Sequence, residues 1–480
     1  GDKSMAYYDD FRKYGDRTAV IDENGQKISY QEMDALCKDM GRGLTARTLV
    51  FSFCENGIGS IAGYLSFLQN RVVPVLLDRH IAQELRQNLL GIYQPDYLYV
   101  PADMAEDFSE LTCIWEGWNY RLLRTDYESK GQLYPELALL LTTSGSTGSP
   151  KLVRQSYENI QSNAESIAEY LELDETERPI TTLPMNYTYG LSIINSHVLC
   201  GATLIATRHT LMEREFWKLF QDEQATSFGG VPYTYEILKK LRFFRMDLPS
   251  LRYMTQAGGK LVPDLHKEFA EYARDHGRKF IVMYGQCEAT ARMAYLPAQK
   301  SLEKYGSMGI AIPGGRLELI DVAGNVIEEP DQVGELVYYG TNVTLGYAQE
   351  RKDLEKGDER FGRLETGDMA KRDDEGYFYI VGRKKRFLKI YGNRVNLDEA
   401  ERMVKKYLPG VDCACGGVDD HLYVFVTIED ETKRDEIRSF LSEKTNLHPS
   451  AFTIRYLEQI PKNEAGKTLY SRLEDFYDGI

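Results

Sequence analysis

Residues 140–151 read LLTTSGSTGSPK, an apolar run that opens into hydroxyls and glycines and closes on Pro150 and Lys151. Residues 137–141 are apolar and read as a strand, so the loop hangs from the end of a sheet. Thr142, Thr143, Ser144, Ser146, Thr147 and Ser149 offer short donors without bulk, and Gly145 and Gly148 let main-chain N–H groups turn toward one anion. Lys151 adds a full positive charge at the exit. The combination suits a polyphosphate, although an ordinary surface loop has the same composition. It is not the nucleotide loop of the P-loop NTPases, because no Gly-Lys-Ser/Thr closes it and the chain leaves through Ser149-Pro150.

Outward from the loop, strand and helix alternate. Upstream, 19–21 and 28–30 flank an Asn-Gly turn at 24–25 and predict a β-hairpin. Helical spacing follows over 31–43, then buried strands at 50–53, 72–77 and 97–100, separated by helical stretches at 60–69 and 81–90. Downstream, 157–171 is a predicted helix. Strands at 180–183, 203–206, 226–228, 253–256 and 280–283, with helices at 213–222 and 233–242, predict a second sheet. Such alternation implies parallel sheets. From about Gly306 the texture changes to short strands at 316–320, 326–327 and 334–339, a small antiparallel unit. The turn at 373–376 joins strands at 368–372 and 377–381, and the basic run Gly382-Arg383-Lys384-Lys385-Arg386 follows; such a run is usually a solvated linker. Strands at 387–390 and 393–395 about a Tyr391-Gly392 turn, a helix at 397–408 capped by Asn396, strands at 411–415, 422–428 and 453–456 and a helix at 432–444 complete an α+β segment. The fold class is α/β. A large N-terminal domain, residues 1–383, holds two parallel-type sheets plus the small antiparallel β unit. A small mobile α+β domain spans 384–480.

A chain of 480 residues is too long for one core. A formal charge of −15 argues against nucleic-acid affinity, so any positive charge must be concentrated locally. No stretch is apolar enough to span a bilayer. Seven cysteines at irregular spacings do not form a disulfide framework, and Cys413-Ala-Cys415 is too tight a pair for zinc; a reduced, cytoplasmic setting is the expectation.

Four further stretches occur with the loop in a fixed order: Gln256-Ala257-Gly258-Gly259-Lys260 and Tyr284-Gly285-Gln286-Cys287-Glu288-Ala289-Thr290, each at a strand end, then Glu365-Thr366-Gly367-Asp368, then Pro461-Lys462-Asn463-Glu464-Ala465-Gly466-Lys467. Singly, each has a mundane reading as a turn, a core tyrosine or an exposed lysine. Together they resemble the acyl-adenylate-forming (AMP-dependent synthetase/ligase) superfamily, which includes acyl-CoA synthetases, adenylation domains of peptide synthetases and luciferases. The resemblance runs from the hairpin at Asp22 to Lys467 and implies the two-domain fold already read from the pattern.

It also implies roles. Thr143, Ser144, Ser146 and Thr147, spaced by Gly145 and Gly148, contact the β- and γ-phosphates of ATP with Lys151 nearby; Thr147 counts among the catalytic groups. Gly258, Gly259 and Lys260 form one wall of the adenine site. Tyr284, with Gly285 and Gln286, forms the other, and stacking on a base is worth about 1–3 kcal/mol. Glu288 holds Mg²⁺, Asp368 accepts the ribose hydroxyls, and Arg383 reaches the ribose. Lys467 bridges the substrate carboxylate and the α-phosphate. In the first half-reaction the acid's carboxylate displaces pyrophosphate. In the second, a thiol of CoA or of carrier-protein pantetheine displaces AMP after rotation about a hinge at Lys385. Rotation withdraws Lys467 and brings in the hairpin where Lys389 assists and Gly392 leaves room for the pantetheine arm. A hinge lysine looks like the coumarate-ligase and luciferase branch. None of the seven histidines is given a catalytic role, because the nucleophile is already ionised.

Two departures bear on substrate. Cys287 stands where the superfamily usually has a threonine that donates to the α-phosphate, and a thiol is a weaker donor. Tyr187, in Pro184-Met185-Asn186-Tyr187-Thr188-Tyr189-Gly190, stands where amino-acid-activating members put an aspartate for the α-ammonium. The acid is therefore expected to lack a free α-amine. Tyr187, Tyr189, Ala257 and Gly285 line its pocket and Met283 narrows it, which favours a short to medium acid or a small aromatic one. Two alternatives remain: a stand-alone amino-acid adenylating enzyme loading an acyl carrier protein, and a nucleotide-binding regulator that has lost catalysis.

Overall fold

The computed structural model describes residues 5–128, 131–143, 151–464 and 466–478. The chain divides into two compact units. One comprises Gly1–Glu318, Val337–Glu365 and Arg372–Tyr379; the other comprises Leu319–Leu336, Thr366–Lys371 and Ile380–Ile480.

In the first unit the strands Leu49–Cys54, Val73–Asp78 and Leu137–Thr142 are apolar along nearly their whole length and buried on both faces, as parallel central strands require. They lie within an eight-stranded sheet ordered Gly346–Ala348, Leu152–Ser156, Leu137–Thr142, Val73–Asp78, Leu49–Cys54, Tyr97–Pro101, Tyr120–Arg124, Thr112–Gly117. The helix Ile58–Gln69, apolar nearly all round and almost wholly buried, packs against Leu49–Cys54 and Val73–Asp78.

The predicted parallel sheet is corrected at its wings. Only Val73–Asp78, Leu49–Cys54, Tyr97–Pro101 and Leu137–Thr142 pair in parallel; the outer strands pair antiparallel. The cause is local. Trp118 and Asn119, with φ 50° and 65°, turn Thr112–Gly117 straight back into Tyr120–Arg124. Leu152–Ser156, absent from the sequence expectation, folds back on Leu137–Thr142 across the hydroxyl-rich loop.

Ser227–Gly230, Tyr253–Gln256 and Lys279–Tyr284 form the parallel part of a second sheet, extended antiparallel by Ala294–Tyr295 and Ile310–Ala311. Two predicted members do not belong to it. Leu204–Ala206 pairs in parallel with Thr18–Asp22, itself hairpinned to Lys27–Ser29. The stretch at 180–183 makes only single bridges at its start, Pro179 to Ser227 and Ile180 to Ile205, and so links the two sheets. A four-stranded sheet of Arg316–Ile320, Gly334–Tyr339, Arg363–Arg372 and Phe378–Arg383 contributes residues to both units; Val326, expected in a strand, makes only a bridge to Ile320.

In the second unit Phe387–Ile390 pairs with Asn393–Asn396 across Tyr391 and Gly392, at φ 49° and 82°. The Asn396 side chain then accepts from the N–H groups of Asp398 and Glu399 and starts the helix Leu397–Tyr407. Cys413–Val418, His421–Val426 and Phe452–Tyr456 form a three-stranded sheet whose apolar residues share a core with that helix and with Ile437 and Leu441 of Glu431–Thr445. No helix among the described residues is long and apolar enough to cross a membrane.

Candidate active site

The mouth of the loop is set by register: Thr142 stands opposite Leu152, so Thr143 and Lys151 are its two lips. Ser144, Gly145, Ser146, Thr147 and Gly148 lie outside the described residues. The Lys151 ammonium sits 4.0 Å above the Tyr347 ring, and the Arg360 guanidinium lies 4.7 Å from the same ring. The Tyr347 hydroxyl donates to Glu288 Oε1 at 3.2 Å. Tyr347 comes from the short strand Gly346–Ala348, paired with the exit strand of the loop opposite Val153. One phenol thus joins the loop's lysine to the carboxylate expected to hold a metal. Sequence reasoning missed it, since a three-residue strand carries no periodicity.

Glu288 sits on a single 3₁₀ turn, Cys287–Ala289, after the strand Lys279–Tyr284. Its carbonyl accepts from Thr344 N and Oγ1, both at 2.9 Å. Gly285 is required by a close approach: a Cβ there would lie 1.4 Å from the carbonyl oxygen of Ala291. The Cys287 thiol is buried and points toward the carbonyl of Thr142 at 3.9 Å. Burial and the neighbouring Glu288 push its pKa far up, so it stays a neutral S–H.

Gly258 and Gly259 are exposed after Tyr253–Gln256, and the Gln256 amide holds them by donating to the carbonyls of Ala257 (3.2 Å) and Gly259 (2.9 Å). At Gly258 a Cβ would meet the Tyr187 hydroxyl at 2.7 Å and Val231 at 2.9 Å. The missing side chain therefore makes room for the Tyr187 hydroxyl, whatever the expected adenine wall requires. Lys260 is exposed. Tyr284 is half-buried against the cluster of Ala289, Met293, Tyr338, Val343 and Leu364, and its hydroxyl accepts from the Gln286 amide at 3.2 Å.

Tyr187, Tyr189, Ala257 and Met283 share one apolar cluster with Leu183, Ile281 and Val231. The Tyr189 hydroxyl is hydrogen-bonded to Thr255 Oγ1 at 2.6 Å and accepts from Gly230 N at 3.3 Å, and the Tyr170 hydroxyl donates to Met283 Sδ at 3.0 Å. Arg292, also missed from sequence, lays its guanidinium 4.0 Å over the Tyr189 ring.

In the second unit Arg383 donates to the buried Asp368 carboxylate at 2.8 Å, which joins the two expected ribose contacts. Glu335 accepts from Lys384 Nζ at 3.0 Å and from Gly367 N at 3.2 Å. On the other side of the basic run, Arg386 is buried and donates to Asp398 (2.9 Å), Glu401 (3.0 Å) and the Cys415 carbonyl (2.8 Å), with its guanidinium 3.8 Å over the Tyr470 ring. Exposed Lys385 is the link between these anchors. Lys389 is exposed; its N–H donates to Asp419 Oδ1 and its carbonyl accepts from Asp420 N. Gly392 has open space where a Cβ would stand. Its positive φ in the two-residue turn therefore accounts for the glycine, whether or not a pantetheine arm passes. Lys467 is exposed on a tight loop: its N–H donates to Asn463 Oδ1 and its carbonyl accepts from Asn463 N, both at 2.9 Å.

The donor set fits Mg²⁺ and not a protein-caged metal. No group of three or more His, Cys, Asp or Glu side chains that could hold an ion occurs among the described residues. Glu288 is a single carboxylate with one oxygen taken by Tyr347. Mg²⁺ is commonly held by one carboxylate together with phosphate oxygens and water.

The AMP-binding enzyme family matches residues 8–348. Feruloyl-CoA synthase of an Amycolatopsis species is 27% identical over 348 residues, covering 70% of this chain and 68% of that one. A 2-succinylbenzoate–CoA ligase of Listeria monocytogenes is 24% identical over 386 residues, 78% of each. The structure of O-succinylbenzoate coenzyme A synthetase from Bacillus subtilis, in complex with ATP and magnesium, shares the fold at TM-score 0.74 and 21% identity over 98% of this chain and 100% of that one. The chain belongs to the AMP-binding enzyme family, the acyl-adenylate-forming superfamily that its ordered motifs resemble.

Proposed function

We propose that the protein is an AMP-forming acid–CoA ligase: it activates a small carboxylic acid with ATP to an acyl-adenylate and passes the acyl group to the thiol of CoA. The relatives named above are CoA ligases of carboxylic acids. The observation that carries the reading is the placement of Glu288, fixed by Tyr347 beside Lys151, one turn beyond the strand that brings Met283 to the tyrosine-lined cluster. Phosphate-binding charge and acyl pocket thus stand at one strand end.

The chemistry follows from charge. A carboxylate attacking the α-phosphorus brings two anions together, so the site must offset their repulsion. Lys151 does so at the loop, and Lys467, on its exposed loop, does so at the reacting oxygens. Mg²⁺ held by Glu288 would neutralise phosphate charge when bound. The carboxylate attacks already ionised, so no general base is needed. Asp368 and Arg383 hold the ribose. Residues 384–480 act as the mobile domain, turning about Lys385 between the Arg383–Asp368 and Arg386–Glu401 anchors. The thiol then attacks the acyl carbon and AMP leaves.

Tyr187 stands where amino-acid-activating members put an aspartate, which supports an acid without an α-ammonium. Met283 and Tyr189 limit its length. Pyrophosphate release across a panel of carboxylic and amino acids, with and without CoA, tests the reading. Acid-dependent release with CoA-dependent thioester formation is expected, and acyl transfer to a pantetheinylated carrier protein is the finer alternative in the same assay. Efficient use of amino acids or of palmitate overturns the substrate class. ATP binding without acid-dependent release identifies a regulator.

A further inference from the structure

Arg292 is only 2% exposed, and no acidic side chain among the described residues pairs with it. Nη2 donates to Ser192 Oγ at 2.8 Å, Nη1 reaches only the Met283 sulfur at 3.4 Å, and Nε, also buried, has no partner. The guanidinium faces the Tyr189 ring. Five N–H donors therefore meet one oxygen, one thioether and one π-face.

The same molecule shows what a satisfied buried arginine looks like. Arg154, fully buried, donates to the carbonyls of Leu345, Tyr347, Lys356 and Gly357 and pairs with Glu359. Arg386 has two carboxylates and a carbonyl. Buried arginines are rarely left without an anion, because desolvating the charge is costly.

Arg292 also stands in the right place for a ligand. It touches Met283 and Tyr189, two residues of the apolar cluster that is expected to take the acyl group, and with Thr255, Ser196, His197 and the backbone of Gly229 it lines a cavity of about 10 Å³, room for one water, so a carboxylate reaches it only as neighbouring side chains move aside. Tyr170, Tyr187, Tyr189 and His197, which feel its charge, are neutral near pH 7. A buried guanidinium with unmatched N–H donors beside that cluster is a receptor for an anion.

We propose that Arg292 determines specificity by receiving a second carboxylate, so that the preferred substrates are short or aromatic dicarboxylic acids activated at one end only. The proposal rests on the acid-activating function above and deepens it. Guanidinium recognises carboxylate through two parallel N–H···O bonds, a geometry that Lys cannot reproduce.

Matched pairs test it on the wild-type enzyme, with no variant needed: malonate, succinate, glutarate and phthalate against propionate, butyrate, valerate and benzoate in ATP–pyrophosphate exchange. At least one diacid is expected to exceed its monoacid partner about 100-fold in kcat/KM, mainly through KM. R292M, which keeps the stem and removes the charge, is expected to collapse or invert that ratio; R292K, which keeps the charge without the fork, is expected to recover it only in part. Monoacids used as well as diacids by the wild type, or a ratio unchanged in R292M, overturns the proposal. If no acid supports exchange, the acid-activating function fails instead. The thermal shift of the wild-type protein with the same pairs then decides about Arg292, because a ligand bound only to the native state raises the melting temperature. Equal shifts from diacid and monoacid overturn it.

Discussion

At Glu288 the decisive atom belongs to another residue. The Tyr347 hydroxyl fixes one carboxylate oxygen and, on the function proposed above, leaves the other for Mg²⁺, while the same ring seats Lys151 and Arg360. A hydrogen bond to a charged group is worth about 1.5–3 kcal/mol. Tyr347→Phe is therefore expected to lower acid-dependent pyrophosphate release about tenfold and to raise the Mg²⁺ concentration needed for half-maximal rate. Tyr347→Ala, which also removes the π-face under Lys151, is expected to cost more. A Mg²⁺ titration of each variant checks this, and an unchanged half-saturation in both would assign Tyr347 to packing alone. Cys287 gives a prediction of the opposite sign. Its thiol is buried, neutral and aimed at the lip of the loop, where a hydroxyl would be the stronger donor. Cys287→Thr is expected to raise adenylation severalfold in the same assay, whereas a tenfold fall would mean that the thiol itself is required.

Elements are where reading the sequence succeeds and fails for identifiable reasons. The hairpins at Asn24-Gly25 and Tyr391-Gly392 and the helix begun by Asn396 were legible because turn and cap chemistry is local. Leu152–Ser156 was not, because Arg154 and Gln155 break its apolar pattern. The burial of Arg154 depends on partners from 345 to 359, which supply the carbonyls and the carboxylate that it needs. The candidate site divides in the same way. Glycines and hydroxyls mark the expected phosphate loop, most of which lies outside the described residues, and the Gly258–Gly259 pair. Tyr347 acts on a residue 59 positions away and Arg292 on one 100 positions away, so neither had a local signal. The helix Leu397–Tyr407 carries a further long-range knot: Glu401 accepts from Arg386 Nη2, Cys415 N and the Tyr470 hydroxyl. It thereby ties the chain after Lys385 to the chain after Lys467. Removing one member of a buried charged pair costs about 3–5 kcal/mol. Glu401→Ala is expected to destabilise the second unit by about that amount, seen as a lower urea midpoint and as faster proteolysis around 460–470.

Two buried histidines set how the whole molecule answers acid. Burial lowers the pKa of His197 to about 4, and that of His266 to about 4 as well. An unfolded histidine titrates near 6.5. Between those values the unfolded chain binds more protons than the folded one, so stability is complete above about pH 6.5 and is lost as pH falls toward 4. Thermal melts should be flat above pH 7 and should decline through that window; a midpoint unchanged down to pH 4.5 would contradict neutral burial. Within the folded molecule, the division of labour between the two units makes the sharpest demand. Lys467 stands on an exposed loop of the second unit, so its ammonium is available to one half-reaction only if that unit is placed for it. On the proposed mechanism the second half-reaction needs a thiol where that ammonium had been, and it cleaves an adenylate that already exists. Lys467→Ala is thus expected to reduce adenylate formation at least 100-fold while leaving thioester formation from supplied acyl-adenylate within about threefold of wild type. Stopped-flow or quench measurement of each half separately decides it. Equal loss in both halves would mean that one arrangement of the units serves both steps, and the hinge at Lys385 would then have no catalytic task.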